Sequence, residues 1–164
     1  MTHRATTSIA TLDPAAPVPA PVSAFAHVSS RTGLTPTPRS GLPTVSIVIP
    51  AHNEQAVIER CVLAAMDQSV PALEIVVVDN RSTDATAAIV GRLAAGPGGE
   101  RVRLVEQHAA QGLIPTRNAG FAAASGDILG RIDADTVIDH EWTRRVAERL
   151  SDPDVGAVTG PVSY

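Results

Sequence analysis

The chain has 164 residues, 44% of them hydrophobic, and a formal net charge of −4; its thirteen basic residues are all arginine. That length and apolar content allow one buried core, so one domain with a tail is expected rather than two domains. An acidic balance without lysine argues against a surface built to neutralise nucleic-acid phosphates.

Residues 1–43 are rich in Ala, Pro, Ser and Thr and hold seven of the thirteen prolines. Such a segment offers few backbone donors and no apolar period, so it is expected to be a disordered tail, or in part a mis-assigned start of translation. It contains no run of about 18 to 20 apolar residues, so neither a signal peptide nor a membrane span is expected, and the cytoplasm is the expected location.

At Thr44 the texture changes. Val45-Ser46-Ile47-Val48-Ile49-Pro50 is a β-branched run that suits a strand buried on both faces. Ala56, Val57, Ile58, Cys61, Val62, Ala64 and Ala65 then return to one side at helical spacing. Cys61, the sole cysteine, falls on that side and reads as a small buried hydrophobe rather than a reactive thiol. A second strand is predicted over Leu73–Asp79 and a second helix from Asp84 to about Ala95, stopped by Gly96-Pro97-Gly98-Gly99. A third strand follows at Val102–Val105, a helix at about Pro115–Ala124, a fourth strand at Asp127–Ile132, a helix around Glu141–Leu150 and a short strand at Val155–Val158. Strands alternating with helices of this length make a mainly parallel sheet flanked by helices, in which ligands gather at the carboxyl ends of the strands.

Polar clusters stand just past those ends: Pro50-Ala51-His52-Asn53-Glu54, then Asp79-Asn80-Arg81-Ser82-Thr83-Asp84, then Asp133-Ala134-Asp135. Each alone has an ordinary explanation, since Asn53, Ser82 and Thr83 are natural helix caps, Glu54 and Asp84 suit a first helical turn, and Asp133 to Asp135 suits a solvated turn. Together they place several carboxylates on one rim, where a divalent cation relieves their repulsion. Carboxylate oxygens suit Mg²⁺ or Mn²⁺, which keep positions open for phosphate oxygens. Metal-assisted transfer from a nucleotide diphosphate is the expectation.

The ordered set Val45–Glu54, Asp79 with Ser82-Thr83-Asp84-Ala85-Thr86, Arg117-Asn118-Ala119-Gly120, and Gly126-Asp127-Ile128-Leu129 leading into Asp133-Ala134-Asp135 resembles the signatures of family 2 glycosyltransferases, over about Thr44 to Gly160. The resemblance implies an α/β, Rossmann-like GT-A nucleotide-binding domain over residues 44–164, cut short at the C-terminus relative to the family. It further implies that Pro50, Asn53 and Glu54 line a nucleoside pocket, that Asp79 binds the base and that Arg117 approaches the nucleotide. Asp133 would then lie near ribose and metal, with Asp135 ligating the metal. The donor would be a nucleotide-diphosphate sugar and the acceptor an unspecified hydroxyl.

Three departures stand out. Asn80 and Arg81 replace the acid and glycine common after the position of Asp79, Arg81 bringing a side chain where glycine tolerates positive φ. Pro115 stands where a small residue is usual and fits only at a helix start. Family members continue into a region that binds the acceptor and supplies the general base; here no residue takes that role, and Asp139, Glu141 and Asp152 read as surface acids. A partner chain completing the acceptor site, a nucleotide-binding module without turnover, and a nucleotidyltransferase-like domain stay open as alternatives. His52, His108 and His140 lack zinc-ligand spacing, and Trp142 reads as a packing residue rather than a sugar platform.

Overall fold

The computed structural model describes residues 8–11, 24–28 and 41–160. In chain order they form β1 (Ser8–Thr11), β2 (Ala24–Val28), β3 (Val45–Ala51), α1 (Ile58–Met66), β4 (Glu74–Asp79), α2 (Thr86–Ala95), β5 (Val102–Glu106), α3 (Leu113–Ala123), β6 (Ile128–Ile132), α4 (Trp142–Arg149) and β7 (Val155–Thr159), with a 3-10 turn at Gly99–Arg101. From Val45 onward the strand and helix alternation follows the apolar runs of the sequence.

These strands make one sheet in the order β1-β7-β2-β6-β3-β4-β5. Its centre, β6-β3-β4-β5, is parallel throughout. β2 runs antiparallel to both β6 and β7, and β1 runs parallel to β7. β1 and β2 therefore lie within the stretch whose composition predicts no secondary structure. Both fall on short segments free of proline, so every residue in them keeps a backbone donor for the ladder. Residues 1–7, 12–23, 29–40 and 161–164 lie outside the described residues.

Every residue of β3 and β4 is buried, as expected of central parallel strands covered on both sides. The two-residue period of a strand divides the core in two. Ile47, Ile49, Ile75 and Val77 face a layer built from Cys61, Val62 and Ala65 of α1, Val90 of α2 and Trp142 and Val146 of α4. Val48, Val76 and Val78 face the opposite way, packing with Ala119, Phe121 and Ala123 of α3.

Two glycines allow this closeness. A Cβ on Gly120 would stand 2.3 Å from Val48 Cγ1, so α3 touches the sheet through bare backbone; a Cβ on Gly130 would stand 2.7 Å from Trp142 Cη2. Trp142 is only 3% exposed and lies over that glycine, which makes it a packing residue.

Two of the boundaries that differ from the sequence reading have a plain cause. Leu73 gives its N–H to the Val45 carbonyl at 2.8 Å but is 44% exposed and precedes β4. α3 begins at Leu113 because Gly112, at φ 119, turns the chain into it. Pro115 is thereby the third helical residue, where its missing N–H is one that no intrahelical carbonyl would have accepted.

The opposite, amino edge of the sheet is fastened by the buried Glu74. Its Oε1 accepts bonds from Ser46 Oγ at 2.9 Å, Ser125 Oγ at 2.7 Å and the Ser125 N–H at 2.6 Å, while Arg103 pairs with Oε2. Burial works against its charge, but the hydrogen bonds from Ser125, Arg103 and Ser46 outweigh it and hold the carboxyl below its ordinary range.

Candidate functional site

Because β3, β4 and β6 are parallel neighbours, their carboxyl ends share one edge. Ala51 pairs in register with Asp79, and Val48 with Arg131, two residues before Asp133. Pro50, Asn53, Glu54, Asp79, Asp133 and Asp135 therefore all stand at that edge. Arg117 lies in the second turn of α3, whose amino end follows β5 at the same edge, and it is half-buried without an ion pair among the described residues.

The loops after β3 and β4 are laced together. Asn53 receives the Thr83 N–H on Oδ1 at 2.8 Å and gives its own N–H to Ser82 Oγ at 2.9 Å. Glu54 N–H binds Thr86 Oγ1 at 2.8 Å, Gln55 N–H binds Asp84 Oδ2 at 3.1 Å, and Gln55 Oε1 accepts from the Ala85 N–H at 3.1 Å. The side chains that look like helix caps in the sequence are mostly spent across this gap, and neither Val57 nor Ala85, which occupy the caps of α1 and α2, makes a side-chain cap bond. Asp84 is the exception, since its Oδ1 accepts the Thr86 N–H at 3.0 Å as α2 begins.

Asp79 closes β4 at 4% exposure. One oxygen, Oδ2, accepts the Ser82 N–H at 3.1 Å; the other, Oδ1, is buried without a partner. A buried carboxylate oxygen with free lone pairs lacks a donor that water would otherwise supply. The next residue but one, Arg81, sits at φ 59, and Asn53 on the facing loop at φ 58. The left-handed turn that favours glycine is thus kept at Arg81, whose guanidinium reaches the His108 carbonyl. Asn80 is 2% exposed; its Nδ2 donates to the Gln107 and Ala110 carbonyls at 3.0 and 2.9 Å, and its Oδ1 accepts the Gly112 N–H at 3.0 Å.

The acidic end of the edge is formed by Glu54, Asp133 and Asp135. Burial, then the charges of Asp135 and Asp84, with Asp133 adding and His52 opposing, raise the Glu54 carboxyl above its ordinary range. Asp133 opens a turn through its carbonyl, which accepts the Thr136 N–H at 2.9 Å and also the Cys61 thiol at 3.5 Å. Burial first, and then the charges of Asp135 and Asp133, push that thiol up to about 12, so Cys61 packs as a neutral hydrophobe.

Asp135 is exposed, whereas Asp133 pairs with Arg131 at 2.9 Å. Among the described residues no three His, Cys, Asp or Glu side chains form a ready metal cage. A hard cation held by one or two carboxylates together with phosphate oxygens needs no such cage, and two aspartates at a turn are the donor set it takes.

The other acids and histidines singled out in the sequence make local bonds, Asp152 Oδ1 accepting the Asp154 N–H at 3.0 Å. Asp139 accepts the Glu141 N–H at 2.9 Å and pairs with Arg145, while Glu141 pairs with Arg144. His52 Nδ1 donates to the Asn80 carbonyl at 2.7 Å and His140 Nδ1 to the Asp67 carbonyl at 2.8 Å, while His108 pairs with Glu106. Sequence reasoning missed Arg131; a charged residue two places before Asp133 in an otherwise apolar strand was the available signal.

A mainly parallel sheet with laced polar loops at its carboxyl edge and an Asp-x-Asp turn among them is the architecture of a GT-A-type domain. The glycosyl transferase family 2 profile matches residues 46–164, and the chain belongs to that family. Glycosyltransferase AglE of Haloferax volcanii is 32% identical over 127 residues, which are 76% of this chain and 41% of that protein. Succinoglycan biosynthesis protein ExoO of Rhizobium meliloti is 36% identical over 66% of this chain and 30% of its own length. Among solved structures, mannosyltransferase PcManGT from Pyrobaculum calidifontis, in complex with GDP-Man and Mn²⁺, matches with a TM-score of 0.64 and 31% identity, over 70% of this chain and 34% of that one. Glucosyl-3-phosphoglycerate synthase from Mycobacterium tuberculosis, in complex with Mn²⁺, UDP and phosphoglyceric acid, matches at 0.55 and 26%, over 66% and 39%. The chain thus spans less than half the length of each of these four proteins. Among the described residues no helix is long and apolar enough to cross a membrane.

Proposed function

We propose that this domain binds a nucleotide-diphosphate sugar with Mg²⁺ or Mn²⁺ at the carboxyl edge and presents the sugar for transfer to an acceptor hydroxyl. The observation that carries the reading is the orphaned Oδ1 of Asp79, a buried acceptor suited to a nucleobase N–H. Pro50, Asn53 and Glu54 line the nucleoside side of the cleft, and Arg117 offers a planar fork of donors to the nucleotide. Asp133 and Asp135 are the residues to hold the cation, Asp133 also reaching the ribose. The bound cation would supply neutralisation of charge developing on the diphosphate leaving group. GDP-Man, UDP and Mn²⁺ in the two structural relatives support the same class of donor and metal. Cytoplasmic residence belongs to this reading, since Cys61 is a free buried thiol and the fold draws on no disulfide.

Proton removal from the acceptor needs a carboxylate beside its hydroxyl. Asp139 and Glu141 are tied into α4 instead. The second reading is a nucleotide-binding module without turnover of its own, with a partner chain completing the acceptor site. Calorimetry and turnover assays with UDP- and GDP-sugars, with and without Mn²⁺, test both. Metal-dependent binding that Asp135→Ala abolishes supports the site. Turnover then selects the transferase, binding without turnover selects the module, and released pyrophosphate points to nucleotidyl transfer. Equal binding by the Asp135→Ala chain removes Asp135 from the site.

A further inference from the structure

Arg131 is an unusual occupant of its strand. It lies in β6, flanked in register by Val48 of β3 on one side and Phe25 of β2 on the other. Its side chain is only 14% exposed, and its Nε is buried with no partner. Its NH2 meets Asp133 Oδ1 at 2.9 Å. The geometry follows from the strand period, which puts residues two apart on one face, so Arg131 and Asp133 can join along the sheet. An apolar residue in that place would leave no orphaned donor, and Asp133, whose side chain is 35% exposed, does not need a buried partner to keep its charge hydrated. Packing therefore gives no reason for arginine here.

We propose that Arg131 is a positioning residue for Asp133: it grips Oδ1, fixes the carboxylate at the mouth of the turn and leaves Oδ2 free for the ligand. The inference rests on the donor-site reading of Asp133 given above. A pinned carboxylate has less rotamer freedom to lose when cation and diphosphate arrive. The guanidinium also offsets one negative charge on an edge that carries Glu54, Asp84, Asp133 and Asp135, which lowers the repulsion a diphosphate meets. Outer partners that orient a metal-binding side chain commonly matter by about 10- to 100-fold in metal affinity.

The test is calorimetry of UDP binding to the 164-residue chain at saturating and zero Mn²⁺, together with thermal melting. Arg131→Met is expected to weaken Mn²⁺-dependent binding about tenfold while melting close to the parent chain, because the Asp133 carboxylate it leaves behind is 35% exposed and can be hydrated. Arg131→Lys, which keeps the charge without the fork, is expected to fall between. In an Asp133→Asn background, Arg131→Met is expected to add nothing, because its effect passes through that carboxylate. Undiminished binding by Arg131→Met, a loss that persists in the Asp133→Asn background, or a loss that tracks a lower melting temperature would each overturn the positioning role. Absence of metal-dependent UDP or GDP binding in the unsubstituted chain would overturn the donor-site reading itself, so the two failures are told apart.

Discussion

Asn80 and Gly112 are joined by a 3.0 Å bond from the Gly112 N–H to Asn80 Oδ1, which ties the end of β4 to the turn that starts α3. The same amide gives both its hydrogens to the Gln107 and Ala110 carbonyls. Aspartate at this position would keep the acceptor but set a carboxylate oxygen against two carbonyl oxygens. Asn80→Asp is therefore expected to cost about 2–4 kcal/mol, from two lost bonds and a buried charge. Denaturant unfolding measures the loss, and hydrogen exchange should show it concentrated in residues 107–113.

Asp79 gives the opposite sign for stability and binding. Asparagine there is close in shape and removes a buried charge whose Oδ1 lacks a donor, so the free chain should unfold at the same or a higher denaturant concentration. Its amide hydrogens would oppose the N–H of a nucleobase, and nucleotide affinity is expected to fall by about 10- to 100-fold. Paired unfolding and calorimetric titrations check both; retained affinity would remove Asp79 from the base pocket.

Glu54 makes the fold sensitive to pH. Its carboxyl stands above the ordinary range through burial first and neighbouring acids second, so ionisation costs the folded state. That cost is absent below the unfolded value of about 4.3 and fully present once pH passes the folded value. Glu54→Gln should therefore melt higher than the parent chain at neutral pH, the gap closing as pH falls toward about 4. Mn²⁺ should narrow the gap at neutral pH by screening the same acids, which melting curves across pH with and without the ion will show.

Gly120 is a steric limit rather than a hinge. Alanine would gain about 1 kcal/mol of helix propensity, yet its Cβ would fall 2.3 Å from Val48 Cγ1 and 3.0 Å from Val78 Cγ2. The clash is expected to prevail, with a net loss of about 1–3 kcal/mol as α3 lifts from the sheet. A Gly120→Ala chain as stable as the parent in urea would show that the helix has room to shift.

Much of the fold was legible because burial on both faces leaves a plain mark. Ile47, Val48 and Ile49, like Val76, Val77 and Val78, form apolar runs that only a covered strand explains. β1 and β2 were hidden because proline-rich surroundings dominated the composition around two short segments. The carboxylates at the strand ends were legible too, since parallel topology alone carries Asp79, Asp133 and Asp135 to one edge. The use made of polar side chains was not legible: Asn53 reads as a helix cap but spans to Thr83, a residue 30 positions away, and only the meeting of two loops decides between those uses. Arg131 was overlooked because one charge in a strand pattern reads as noise until its partner is seen.

The reciprocal bonding of Asn53 with the Ser82 hydroxyl and the Thr83 N–H has a mechanical outcome. Neither loop can swing aside alone without breaking the bonds that cross to the other, so the pair acts as one stiff lip. Adjustment to a guest is therefore expected from that lip tilting as a block, since the Asp133–Thr136 bend is itself held by the Cys61 thiol, the Arg131 pair and the buried Ala134.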